Sequence, residues 1–260
     1  MKLRAITATR YVTPLREGGS LPAIVEADDS GMYVLKFRGA AQGAKVLIAE
    51  LIVGELARAI GFAVPEIVLI DLDADLARTE ADPEIQQLIR ASAGLNLALD
   101  YLPGSVTFNP IADSIEPRLA SDVVWFDAYV SNVDRTARNA NMLMWHKRLW
   151  LIDHGAALYF HHGWSVGSDR SKDAFTPIKD HILLKLAASL READETLAVR
   201  LTPAIIHDVV EAIPDAWLSV DSPFASTQDA RSAYIQHLTR RLEGPRAFLE
   251  EAVRARSLLV

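Results

Sequence analysis

Asn132-Val-Asp-Arg-Thr-Ala-Arg-Asn-Ala-Asn141, running on to Leu151-Ile-Asp-His-Gly155, is the stretch on which the reading of this chain turns. It holds an Asp at 134, an Asn five residues later at 139, and an Asp-x-Gly beginning at 153. Between them lie two short apolar runs, Asn141-Met-Leu-Met-Trp145 and Arg148-Leu-Trp-Leu-Ile152, joined by His146-Lys147, which predict a β-hairpin. A hairpin there carries both ends of the pattern to one edge of a small sheet. The individual pieces recur by chance: Asp127 and Asn132 also stand five apart, and Asp29-Ser-Gly31 reads as a plain turn. What distinguishes the second pair is the hairpin that follows it.

These residue types at this spacing suit phosphoryl transfer. The reaction takes hard oxygen ligands for magnesium, which a carboxylate and an amide carbonyl provide. It also takes one carboxylate that binds no metal and orients the attacking hydroxyl. On this reading Asp134 is the catalytic residue, while Asn139 and Asp153 hold the metal. Asn141, two residues later at the strand start, is the rival ligand.

Lys36 lies within the strand-like run Met32-Tyr-Val-Leu-Lys-Phe37, where a buried ammonium is costly without a carboxylate partner. The next helical pattern, Gly43 to Ile60 stopped by Gly61, carries Glu50 inside Val46-Leu-Ile-Ala-Glu-Leu-Ile-Val53. Lys36 is read as a ligand of nucleotide phosphates and Glu50 as its anchor. Gly18-Gly-Ser20, in the Gly-rich turn Arg16 to Pro22, is a candidate phosphate cradle, although it lacks a complete G-x-G-x-x-G. A phosphate on Ser20 would repel a bound nucleotide.

The remaining elements place these residues. Strands are predicted at Tyr11–Leu15, Glu66–Asp71 and from Asn96 to a Pro103-Gly104 break, and a short helix near Ile85–Ala91. Helical patterns then dominate: Leu119–Val130, Ile178–Ala193, Pro203–Ala212, Asp229–Leu242 and Pro245–Leu258. This order predicts an α+β fold with two lobes, a small antiparallel-sheet N-lobe over 1–100 and a mainly helical C-lobe over 101–260.

The chain has 260 residues, half of them hydrophobic, a net charge of −7 and no cysteine. The charge offers no global footprint for nucleic acid or an anionic membrane. The absence of thiols fits a reducing cytoplasm, and no segment reads as a signal peptide or membrane span. His154, His161 and His162 lack the pattern of a zinc site, and no G-x-S-x-G supports hydrolase chemistry.

Lys36, Glu50, Asn132-x-Asp134-Arg135, Asn139 and Ile152-Asp-x-Gly155 resemble the HipA-like kinases and their phosphatidylinositol-kinase-like relatives. Leu56-Ala57 and Gly61-Phe-Ala-Val-Pro65 after Glu50 match that family's pattern too. The resemblance covers roughly residues 12 to 160. It implies a bilobal kinase fold, ATP and magnesium as cofactors, and a serine/threonine protein as acceptor. Thr136 stands where these families often carry His, and His154 replaces the Phe of Asp-Phe-Gly. The alternatives are a nucleotide-binding module without transfer, or a small-molecule or lipid kinase.

Overall fold

The computed structural model describes residues 1–15, 21–40 and 43–260. Five strands among the described residues up to Asp100 form a closed barrel. Strands β1 (Ala5–Pro14), β2 (Ala23–Ala27), β3 (Met32–Lys36), β4 (Ile67–Leu72) and β5 (Gly94–Asp100) follow in the spatial order β1-β2-β3-β5-β4. This corrects the expected small antiparallel sheet: the sheet closes on itself, and β1 pairs with β4 in parallel. The closure lies in β1. Its first residues, Ala5 to Thr7, pair with β4, and Ala8 to Pro14 pair with β2 in a ladder whose register shifts at Ala8/Arg10 and Tyr11/Thr13. Such irregularities bend a strand and increase its twist. Neither the start of β1 nor β2 stood out in the sequence. In β1 the inward positions are Ile6, the small Ala8 and, after a break in the alternation, Tyr11, and β2 is five residues long.

Alternation along the barrel strands sorts two apolar populations. Val25, Leu35, Val68, Ile70 and Ala98 fill the barrel, and Ile85 and Ile89 of helix α2 (Pro83–Ala91) join them. Ile67, Leu97 and Leu99 point the other way, into a larger core with helix α1 (Ala44–Ile60). Gly54 permits this contact, because a Cβ there would lie 2.4 Å from Ile67 Cδ1. Gly61 ends α1 in the left-handed conformation at φ 104, its N–H reaching the Ala57 and Arg58 carbonyls.

Beyond the barrel come β6 (Val106–Thr107), helix α3 (Pro117–Tyr129) and the expected hairpin, β7 (Met142–Trp145) and β8 (Arg148–Leu151), in a sheet of order β6-β7-β8. The rest is helical: α4 (Leu190–Arg200), α5 (Pro203–Glu211), α6 (Asp215–Leu218), α7 (Thr227–Leu242) and α8 (Ala247–Ser257). The single helix expected over Ile178–Ala193 is instead two 3-10 turns, Thr176–Asp180 and Leu184–Leu186, with α4 starting only at Leu190. The interruption is His181, extended at φ −66, ψ 128 and bridged to Thr136. None of the described helices is long and apolar enough to cross a membrane.

Candidate active site

The second half of helix α3 is largely apolar and buries Val123, Val124, Trp125 and Phe126, so the chain leaves it at a fixed point beside the core. Ser131 turns the backbone left-handed at φ 54, and the Asn132 Oδ1 accepts the Asp134 N–H at 3.1 Å. Asp134 Oδ2 then accepts Asn139 Nδ2 at 2.7 Å and Asn141 Nδ2 at 3.2 Å. Asn141 also reaches the Asp153 carbonyl at 3.4 Å, spanning both ends of the hairpin. Asn139 is exposed and Asn141 buried. Asn141 and Asp153 both hold positive φ, 48° and 53°. Non-glycine residues in this region gather where a site overdetermines the backbone.

Lys36 arrives from β3 and places its Nζ 2.7 Å from Asp153 Oδ1. The ammonium is almost completely buried, while about a third of the Asp153 side chain remains exposed, at 34%. Burial alone would lower the Lys36 pKa, but Asp153 and then Glu50 outweigh it and hold it above its ordinary value. Burial likewise opposes ionisation of Asp153, and Lys36 overrides it, keeping the carboxyl below its ordinary value.

The expected Lys36–Glu50 pair is not made. Glu50 is fully buried, and among the described residues no side chain hydrogen-bonds its carboxylate, which faces the His154 backbone N–H. Burial therefore dominates and pushes its pKa upward, with the Lys36 charge offsetting only part. Lys36 has turned to the carboxylate within hydrogen-bond reach, that of Asp153. Gly155 brings the Asp153 turn against α1: a Cβ there would sit 2.5 Å from Val46 Cγ1 and 3.7 Å from Glu50 Oε2.

Beneath these groups lies a buried polar hub. The side chains of Asp127 and Arg135 are wholly buried, and Arg135 Nε donates to Asp127 Oδ2 at 2.6 Å. The same guanidinium donates to the Asn141 carbonyl and stands 3.4 Å from His154 Nδ1. Asp127 also takes Asn132 Nδ2 at 3.1 Å and His181 Nε2 at 2.9 Å. His181 Nδ1 accepts the Leu183 N–H at 3.1 Å, so the ring proton lies on Nε2 and is donated to Asp127. Burial would raise the Asp127 pKa, but Arg135 and His181 hold it far below the usual carboxylate range. His154, buried beside Arg135, is held neutral, its pKa lowered to about 3.

Asp127 and Asn132, which read as a chance recurrence of the spacing, thus hold the backbone of the 132–141 loop from below. The available signal was Asp127 standing alone inside Val123-Val-Trp-Phe-Asp-Ala-Tyr-Val130. A lone carboxylate in a buried helix needs partners. Nothing local to His181 marked it.

Among the described residues no group of three or more His, Cys, Asp or Glu is placed to hold a metal. The donors at hand are the Asp153 carboxylate and two amide oxygens. Asn139 and Asn141 point their N–H groups at Asp134, which leaves both Oδ1 atoms free of hydrogen bonds. That sparse oxygen set fits magnesium, which keeps waters and substrate phosphates in its coordination shell, and does not fit a protein-caged metal. Gly18, Gly19 and Ser20 lie outside the described residues.

A β-barrel backed by a helix, a buried strand lysine on an Asp-x-Gly carboxylate, and a loop Asp beside them define a protein-kinase-like fold. The sequence profile of the HipA-like kinases matches residues 9–248, and the chain belongs to that family. No curated protein matches the sequence. Among solved structures the chain is similar to the Helicobacter pylori proinflammatory kinase CtkA, at TM-score 0.59 and 13% identity over 99% of both chains. It is also similar to the Golgi casein kinase with Mn/ADP bound, at TM-score 0.54 and 12% identity over 98% of this chain and 73% of that one. At these identities the likeness concerns the fold.

Proposed function

We propose that the protein is an ATP- and magnesium-dependent phosphotransferase acting on serine or threonine hydroxyls of a protein. The observation that carries this reading is the convergence of Lys36 from β3, Asp134 and Asn141 from the loop after α3, and Asp153 from the turn after β8 at one place. Manganese and ADP in the Golgi casein kinase supply a precedent for a divalent cation and an adenine nucleotide on a related fold.

In this proposal Lys36 binds the nucleotide phosphates, and Asp153 with Asn139 holds the cation, Asn141 being the alternative second ligand. The cation would neutralise charge developing on the transferred phosphoryl group. With Asp153 holding a cation, Lys36 would be free to pair with Glu50, whose charge already acts on it. Asp134 orients the acceptor hydroxyl and takes its proton. The asparagine N–H groups hold the Asp134 carboxylate in place, and the Asp127–Arg135 hub holds the loop. The division into lobes falls near Pro103-Gly104, with residues 1–100 as the nucleotide-covering lobe and 101–260 as the helical lobe. Gly18, Gly19 and Ser20 would cover the phosphates.

The test is phosphate transfer from γ-labelled ATP into a protein mixture or into the enzyme itself, with and without magnesium. Magnesium-dependent label on serine or threonine is the expected result. Nucleotide binding without any transfer would support a binding module instead, and label on a small molecule or lipid would replace the acceptor class.

A further inference from the structure

Arg241, in the last turn of α7, is buried and forms no ion pair among the described residues. Its guanidinium is spent on backbone carbonyls instead. Nε donates to the Tyr129 carbonyl at 2.7 Å and Nη2 to that of Ala128 at 3.0 Å. Nη1 donates to the carbonyls of Ser171 at 3.2 Å and Asp173 at 2.9 Å. A buried charge needs compensation, and here dipoles provide it. Ala128 and Tyr129 close α3, where a helix leaves carbonyls unsatisfied and its macrodipole is negative. The Phe248 ring lies 5.0 Å from the guanidinium carbon and adds its π face. Burial lowers the Arg241 pKa to about 10, which leaves the group charged at neutral pH.

The lacing runs both ways. Lys172 Nζ donates to the Arg240 and Glu243 carbonyls at the end of α7, at 3.1 and 3.3 Å, and Arg240 Nη1 reaches Asp169 Oδ2 at 3.0 Å. Tyr129 Oη donates to the Leu238 carbonyl at 3.1 Å and fixes α3 to α7 separately. Residues 169–173, in the segment that follows the Asp153 turn, are thus tied to two helices at once. Further along, the same segment meets the loop that carries Asp134. The Ile182 N–H donates to the Arg135 carbonyl at 3.1 Å, and His181 bridges to Thr136. Between these two anchorages Phe175 and Ile178 are buried, so the 174–182 stretch stands beside Asp134 in one defined place.

A segment of this kind can also be ordered by a phosphate that pairs with an available arginine. The arginine adjoining Asp134 is not available: Arg135 is wholly buried on Asp127 and the Asn141 carbonyl. Ser171 is unsuited to carry a phosphate, being buried with its hydroxyl on Asp169 Oδ1 at 2.6 Å. On the phosphotransferase reading, on which this role depends, we propose that Arg241 is a positioning residue. It locks residues 171–173 to the end of α3 and so holds the 174–182 stretch beside Asp134 with no phosphate on the segment. The order that a modification would confer is built in as a guanidinium.

The test starts from the full chain treated with phosphatase and shown by intact mass to carry no phosphate. Amide exchange should find the 173–182 stretch protected to within about tenfold of α3. A stretch that exchanges as an open loop would overturn the proposal without any variant. Arg241→Lys keeps the charge but loses the planar fork that reaches four carbonyls. It should raise exchange at 169–182 by about tenfold or more while β2 and β4 keep parental rates. Transfer from γ-labelled ATP to a degenerate serine/threonine peptide pool should fall about 10–100-fold, with the nucleotide Kd within about twofold of the parent. A merely structural role would instead raise exchange throughout α3, α7 and α8 and lower nucleotide affinity and transfer together. That pattern, parental transfer in Arg241→Lys, or loss of the parent's transfer on phosphatase treatment would each overturn the proposal. If Arg241→Lys does not fold, the exchange and phosphatase results on the parent decide. A parent that transfers nothing, treated or untreated, would overturn the phosphotransferase reading and this role with it; exchange at 173–182 separates that failure from failure of the Arg241 clamp.

Discussion

Arg135 Nε sits 2.6 Å from Asp127 Oδ2, with both side chains at 0% exposure. An ion pair so deep is a poor source of net stability but a costly one to break, because the surviving charge is left in a low-dielectric interior. Asp127→Asn should lower unfolding free energy by about 3–5 kcal/mol, measured by denaturant titration. Asp127→Leu combined with Arg135→Met should recover much of that stability. It should not recover activity, since the Asn141 carbonyl, Asn132 and His181 lose their anchors together. A fully active double variant would show the hub to be packing alone.

Asp134→Asn should fold and bind nucleotide like the parent while transfer falls by about 10²–10⁴, the range for removing a general base. Steady-state transfer and nucleotide titration read the two properties separately. Parental turnover in this variant would move the catalytic role elsewhere.

Asp153→Ala should abolish the magnesium dependence of nucleotide binding, because the only carboxylate assigned to the cation is gone. Asn139→Ala should weaken it less, a neutral carbonyl contributing less than a carboxylate. Asn141→Ala, measured beside it, decides the second ligand. If it alone weakens cation affinity, the residue that touches both Asp134 and Asp153 is the ligand, and Asn139 serves only to hold Asp134.

Glu50 supplies a pH dependence. Burial lifts its pKa from the ordinary 4.5 to about 7. Between those values the native state holds a proton that the unfolded chain has lost, so this group's contribution to stability declines as pH rises from 4.5 through about 7. Glu50→Gln removes the titration and should flatten that part of the stability curve. The variant should also gain on the parent as pH rises. Denaturation midpoints across this window check it, and parallel curves for the two proteins would refute the assignment.

How far the sequence foretold the site depended on how local each signal was. Asp134, Asn139 and the hairpin to Asp153 lie within a short stretch, and the hairpin formed where its apolar runs placed it. Lys36 announced itself by its place in a strand. Relations between distant residues were not legible. The choice of Lys36 between Glu50 and Asp153 depends on how closely the Gly155 turn approaches α1, a matter of packing. His181 belongs to the hub through contacts over fifty residues away in sequence. Barrel closure rests on the parallel pairing of the first residues of β1 with β4, in a strand whose alternation was faint.

Helix α1 shares its apolar face with α3 and with residues of α4 to α8, in one continuous core distinct from the barrel interior. The element that carries Glu50 is thus soldered to the far half of the molecule, and heat should release the two together. Calorimetry should record a single endotherm, and amide exchange should report matching protection for α1 and α3, with the barrel strands free to open earlier.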